Sequence, residues 1–308
     1  MSDRREPTQP VFVGGTGRSG TTIAGRLIDA FPGIRVTRPR EVRFISGTNG
    51  VLDVYESIVR GQTYDGRVVR PERLRRNLHG NWFTREKPSG FVSGLHLSID
   101  KPAMRQATTR YLDEVHIDPG GASRRLTETI INGGQLSESP ARWVDTTPNN
   151  ARRADALLAV FPDARVVHMT RDGRDVAMSF AAQSFGPADA STALEAWFDR
   201  MSLALTAESL APSGKVLRMP LMDLARHDRM PSLHRLGEFL GLDVTADVVD
   251  WFNAEIDAER THEGRWRHDA EPLLAAQLDE RYQQMLADLT SRWGDPFRGI
   301  GAARKSAP

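Results

Sequence analysis

Four glycines packed into Val11–Thr22 constrain this chain more than any other feature. The stretch reads Val11-Phe-Val-Gly-Gly-Thr-Gly-Arg-Ser-Gly-Thr-Thr22. Val11, Phe12 and Val13 form a short apolar run that suits a buried parallel strand. Gly14, Gly15, Gly17 and Gly20 then allow a turn that reaches positive φ and brings backbone close to a ligand. Beyond it Ile23, Leu27, Ile28 and Phe31 recur at helical spacing until Pro32-Gly33 stops the helix. A strand, a glycine turn and a helix N-terminus present unpaired N–H groups and a positive dipole end, which together suit a phosphate. A glycine-rich turn without a ligand is the plainer alternative.

The residue types inside the loop narrow the anion. Gly15 and Gly20 have P-loop spacing, but the lysine that should follow the second glycine is Thr21. That lysine reaches the β- and γ-phosphates of a nucleoside triphosphate, so its absence disfavours ATP or GTP hydrolysis. A cation stands inside the loop instead, at Arg18.

At 308 residues the chain can build one large α/β domain, or a domain with a sizeable insertion. Its 41 basic and 40 acidic side chains give no overall field that would favour nucleic acid. The lysines are only Lys87, Lys101, Lys215 and Lys305; the other cations are arginine, which suits bidentate anion binding. With no cysteine, disulfides, thiolate catalysis and cysteine-ligated metal are excluded. No His/Asp cluster suggests a metal site either. Met1–Pro10 is polar with no apolar h-region, and no apolar run is long enough to span a bilayer, so a soluble, cytoplasmic protein is expected.

Along the chain, polar ends are expected to fray over 1–10 and 300–308. From 34 to 142 turn signals such as Gly47-Thr-Asn-Gly50, Lys87-Pro-Ser-Gly90 and Asp118-Pro-Gly-Gly121 separate short helices near 51–60, 102–116 and 123–132. The arginine-rich piece Arg67–Arg76 reads as a solvated face, with a contact to an acidic substrate or phosphate as the alternative. Strands are predicted at 143–145, 164–169 and 215–219. Helices are predicted over 154–161, 176–184, 190–211, 231–240 and most of 269–293. This alternation predicts an α/β fold, a parallel sheet flanked by helices, with ligands at its carboxyl edge.

A second anion motif is Arg171-Asp-Gly-Arg-Asp-Val-Ala-Met-Ser179. Arg171 ends a predicted strand and Ser179 lies two turns into the next helix; a guanidinium fork plus a hydroxyl suits an isolated phosphate. Helix-start charges pairing among themselves are an equal alternative for this segment taken alone. Together, the two motifs resemble the sulfotransferases that use 3′-phosphoadenosine-5′-phosphosulfate (PAPS). Arg18-Ser-Gly-Thr-Thr22 is similar to that family's 5′-phosphosulfate loop, and Arg171 to Ser179 to its 3′-phosphate element. Trp143-Val-Asp-Thr-Thr-Pro-Asn149 through Phe161-Pro-Asp-Ala164, Leu236–Leu242 and Glu263-Gly-Arg-Trp-Arg267 also resemble family segments, in family order.

The resemblance implies a P-loop-like sulfotransferase fold over 1–308, a single domain whose insertion, about 42–142, binds the acceptor. It implies cofactor contacts from Gly17, Arg18, Ser19, Gly20, Thr21, Thr22, Arg171, Ser179, Gly264, Arg265, Trp266 and Arg267, and no metal. Arg18 would stabilise charge on the leaving phosphate; an arginine cannot readily lend a proton, so its role is electrostatic. Glu41 is the first choice of base, with pairing to Arg38, Arg40 or Arg43 as its alternative. His96 is second and Asp145 third. The loop Gly264–Arg267 would close on the cofactor, the alternative being a core Trp266 between solvated arginines. Asp172, Arg174 and Asp175 read as helix-start scaffolding, and His168 as a core strand residue.

Three departures stand out. Thr146 replaces a common lysine, the family's usual Tyr-Glu is lost in Arg218–Leu224, and Ile23 replaces an aromatic, leaving the adenine stack unassigned. The implied acceptor is a hydroxyl on a small metabolite, a carbohydrate or a lipid. A nucleotide-dependent kinase and a non-catalytic nucleotide-binding protein are the rival readings. The sequence leaves the oligomeric state open.

Overall fold

The computed structural model describes residues 9–86, 90, 92–133, 142–183 and 186–298. Apart from Gln9 and Pro10, the expected frayed ends lie outside these residues, as do Lys87–Ser89 of one expected turn and Ser184 at the end of one expected helix. In chain order the elements begin with β1 (Val11–Gly15), α1 (Thr21–Asp29) and β2 (Ile34–Val36). There follow α2 (Val51–Val59), α3 (Pro71–His79), β3 (Arg85–Glu86), β4 (Val92–Ser93), α4 (Lys101–Glu114) and α5 (Pro119–Ile131). Next come β5 (Arg142–Asp145), α6 (Ala154–Val160), β6 (Arg165–Thr170), α7 (Gly173–Ala181), α8 (Ala190–Leu210) and β7 (Val216–Pro220). The series ends with α9 (Arg229–Leu240), α10 (Ala246–Glu255), α11 (Trp266–Asp269) and α12 (Pro272–Trp293).

The chain divides into two compact units. The first comprises the segment ending at Val11 with Gly33–Thr147 and Asp155–Ala164. In it β2 pairs in parallel with β5, Ile34 opposite Arg142 and Val36 opposite Val144. Helices α4 and α5 pack on each other, and each has a proline in its first turn, Pro102 and Pro119, where the missing N–H costs nothing. Asp100 and Asp118 cap them, accepting from Ala103 N and Gly121 N at 2.8 and 2.9 Å. The arginine-rich piece contains α3, which buries Pro71, Leu74 and Leu78 and leaves Arg73, Arg75 and Arg76 exposed, as a solvated face requires. Sequence reading anticipated the charged face, not the helix beneath it.

The second unit comprises Phe12–Pro32, Pro148–Ala154 and the chain from Arg165 onward. Here β1 neighbours β6, and β6 pairs in parallel with β7 from Val166 opposite Val216 to Thr170 opposite Pro220. Every residue of β1 is buried, the pattern of a strand covered on both faces. Helices α7, α8 and α12 share one apolar cluster that includes Val176, Phe180, Trp197, Met201, Leu278, Tyr282 and Leu289. His168 is buried on β6 as expected, but it packs there with polar partners: Nδ1 lies 3.0 Å from Glu208 Oε2, and Glu208 also accepts from Arg218 at 2.8 Å. Parallel strand pairs with helices between them in sequence establish the α/β class. Among the described residues no helix is long and apolar enough to cross a membrane, and no cluster of side chains could hold a metal ion.

Candidate active site

The glycine loop joins β1 to α1 within the second unit, and its backbone is specialised where the sequence places glycine. Gly17 and Gly20 have φ of 82° and 94°, and Arg18 between them also lies in the left-handed region at 55°. A Cβ on Gly17 would stand 2.8 Å from the Phe180 ring, so the loop lies too close to α7 for a side chain there. Left-handed residues this close together are the backbone elements from which anion nests are built. Gly20 caps α1 without a side chain, so no side-chain cap bonds the first N–H groups of the helix. Ser19 is fully buried, and its Oγ has no hydrogen-bond partner among the described residues. A buried hydroxyl without a partner is costly unless something else supplies one.

The second motif meets the first. Arg18 Nε donates to Ser179 Oγ at 2.9 Å, across most of the chain's length in sequence. Arg171, half-buried at the end of β6, donates through Nη1 to the Arg18 carbonyl at 3.0 Å. Its Nη2 donates to the carbonyl of Thr261 at 2.7 Å, with His262 O at 3.4 Å. Burial pulls the Arg171 guanidinium below its ordinary range; Asp175 opposes this, while Arg265 and Arg18 add to it. Cations gathered this way are held at an electrostatic cost that an incoming anion relieves.

Helix α7 begins between these groups, and its first turn holds the C-terminal loop. Asp172 caps it, accepting from Arg174 N at 2.9 Å. Asp175 accepts from the backbone N–H of Gly264 at 2.9 Å and of Trp266 at 3.4 Å. Trp266 is buried, with the guanidinium carbons of Arg174 and Arg267 at 4.2 and 4.6 Å from its ring centroid. Arg267 is exposed, and Arg265 pairs with Asp269 at 2.8 Å. Trp266 is therefore the core residue of the alternative reading, while Arg267 lines a cleft of about 320 Å³. Arg171, Asp175, Met222, Gly264, Trp266 and Arg267 line that cleft.

The candidate bases belong to the first unit. Glu41 is partly exposed and pairs with Arg43 at 3.3 Å, the surface pairing its neighbours allowed. The backbone on either side of it is fixed: the Arg40 carbonyl accepts from both N and Oγ1 of Thr146 at 3.1 Å, and Val42 N donates to Asp145 Oδ1 at 2.7 Å. Asp145, fully buried and also bonded to Thr147 Oγ1 at 2.9 Å, thus serves the segment that carries Glu41. His96 is partly exposed, with Nδ1 3.0 Å from the Phe83 carbonyl.

Two supports escaped the sequence reading. Arg200 on α8 donates to the Thr16 carbonyl at 3.0 Å and stacks 4.9 Å from Phe180, bracing the glycine loop. Thr146, which replaces a common family lysine, holds Arg40. The first depends on long-range packing and left no local signal; the second was visible only as a departure.

Comparison with known proteins bears on the family and the fold. The chain matches the model of the sulfotransferase family over residues 10–247. No match was found among curated proteins. Its fold is similar to the sulfotransferase domain of the olefin synthase from Synechococcus PCC 7002, at 17% identity and a TM-score of 0.53, covering 92% of this chain and 97% of that domain. It is also similar to the sulfotransferase domain of the curacin biosynthetic pathway, at 14% identity and a TM-score of 0.52, covering 92% and 98%. With most of its length matched to one family, and that family's fold around a glycine loop with an internal arginine, the chain belongs to the sulfotransferase family.

Proposed function

We propose that this protein transfers a sulfonate group from PAPS to a hydroxyl acceptor. One observation carries the reading: two anion motifs remote in sequence converge, Arg18 of the loop bonding Ser179 while Arg171 bonds the loop's backbone. The partnerless Ser19 Oγ and the left-handed residues of Gly17–Gly20 fit an anion with several acceptor oxygens. On this reading Gly17 to Thr22 hold the 5′ side, Arg171 and Ser179 hold the 3′-phosphate, and Gly264 to Arg267 close over them. When bound, the donor supplies an activated sulfonate on a phosphate leaving group.

The chain's own groups divide the remaining work. Arg18 carries a fixed positive charge and stabilises negative charge at the transferring group without giving up a proton. Glu41 takes the acceptor's hydroxyl proton, its backbone steadied by Asp145 and Thr146; His96 is the alternative base. We assign the acceptor to the insertion at about 42–142 of a single sulfotransferase domain. We assign the reaction to the cytoplasm and the acceptor to small metabolites, carbohydrates or lipids. The missing lysine at Thr21 weighs against a kinase or NTPase.

The test is release of labelled sulfonate from PAPS to a panel of alcohols, phenols, sugars and lipid hydroxyls. Arg18→Ala should lower turnover by about 10²–10³-fold, the loss typical of one charge-stabilising donor. Glu41→Gln should lower turnover by about 10²–10⁴-fold with donor affinity little changed. Full activity in Glu41→Gln, with loss in His96→Gln, would transfer the base role to His96.

A further inference from the structure

The first turn of α7 does more than start a helix. Arg174 lies between two aromatic rings, its guanidinium carbon 4.2 Å from the Trp266 centroid and 4.2 Å from that of Tyr282. Its nitrogens pair with Asp172 and with Asp279 of α12. Tyr282 in turn packs 5.4 Å from Trp197, the residue against which Gly173 lies. The rigid core of α7, α8 and α12 therefore extends through Arg174 to the ring of Trp266. One residue further on, Asp175 spends its two carboxylate oxygens on the N–H groups of Gly264 and Trp266. A helix-start charge would need none of this. Exposed cation–π pairs are weak, but one buried and ion-paired on a planar guanidinium fixes an orientation as well as a distance.

We propose that Arg174 and Asp175 are positioning residues that hold the Gly264–Arg267 loop in its cofactor-closing place before any ligand arrives. The inference rests on the PAPS reading above and adds a division of labour within one motif. Arg171 and Ser179 meet the anion, while Arg174 and Asp175 act through the loop. A preorganised loop lowers the ordering cost of binding, so its loss should appear in donor affinity and KM rather than in kcat.

The experiment compares the full chain with Asp175→Asn, Arg174→Ala and the gentler Arg174→Lys. It uses hydrogen exchange over residues 259–269 without ligand, and calorimetric titration with adenosine 3′,5′-bisphosphate. Asp175→Asn and Arg174→Ala should speed exchange at Gly264 and Trp266 by about tenfold or more, since a bond to a charged acceptor is lost or loosened. Bisphosphate affinity should fall, and KM for PAPS rise, by about tenfold with kcat within twofold. Exchange inside α7 should stay unchanged, which separates loop release from unfolding. Arg174→Lys, which keeps the charge but not the planar stack, should show the same pattern more weakly. Unchanged loop exchange in all three variants would overturn the latch. Faster exchange with unchanged bisphosphate affinity and KM would overturn its positioning role. If the unsubstituted protein bound no bisphosphate, the donor reading itself would fall; exchange in the ligand-free chain keeps the two failures apart.

Discussion

Replacing Arg171 by alanine tests whether the two anion motifs bind the separate phosphates proposed for them. In the ligand-free chain its guanidinium is held at both ends, on the Arg18 carbonyl at 3.0 Å and the Thr261 carbonyl at 2.7 Å. Binding a 3′-phosphate would exchange neutral acceptors for charged ones, and bonds between ionised partners are about twice as strong as neutral ones. With two N–H groups engaged, the net gain is about 2–3 kcal/mol, or roughly 30- to 150-fold in affinity. The assay is calorimetric titration of the parent and Arg171→Ala proteins with adenosine 3′,5′-bisphosphate and with AMP, which lacks the 3′-phosphate. Bisphosphate affinity should fall by that factor while AMP affinity changes little. An equal loss for both nucleotides would refute the reasoning, because Arg171 would then act only by tying the loop backbone to Thr261.

Three further predictions concern the scaffold. Glu208→Ala should destabilise the protein by about 3–5 kcal/mol, read as a lower urea midpoint, because it leaves Arg218 buried without its carboxylate. Burial pushes the Glu208 carboxyl up, but bonding and charge from His168 and Arg218 outweigh this and hold it below its ordinary 4.5. An acid depressed in the folded state adds stability above its unfolded value and loses it as pH falls through the folded one. The parent should therefore lose stability below about pH 4.5, where Glu208→Gln loses less. Gly173→Ala would place a Cβ 2.5 Å from the buried Trp197 ring, and should destabilise the protein by about 1–3 kcal/mol through overpacking, read as a lower urea midpoint at unchanged slope.

How far the sequence reached depended on how local each signal was. The β1–loop–α1 unit was legible because an apolar triplet, four glycines and a helical period stand side by side. β5, β6 and β7 were legible as apolar runs. β2 was not: it has three residues, and Arg35 in its middle is exposed. α3 was hidden because only Leu74 and Leu78 mark its buried face among arginines. α10 was missed although Thr245 caps it and Asp247 favours its first turn, since its apolar residues do not keep to one stripe. In the site, Arg18, Arg171 and Ser179 were readable from motif and chemistry. Their mutual contact was not, because it is made by packing α7 against the loop. Arg174 shows the same limit, since the two rings that flank it come from residues about ninety and more positions downstream.

The central claim is a site that distinguishes a 3′-phosphorylated adenosine from other nucleotides. Thermal melting with adenosine 3′,5′-bisphosphate, AMP and Mg-ATP, each in excess, tests it most directly. A ligand at a hundredfold its dissociation constant adds about 2.7 kcal/mol of stability, which a melting curve resolves. The account predicts clear stabilisation by the bisphosphate and little by the other two. Stabilisation by Mg-ATP without the bisphosphate would contradict it and make the glycine loop a triphosphate site.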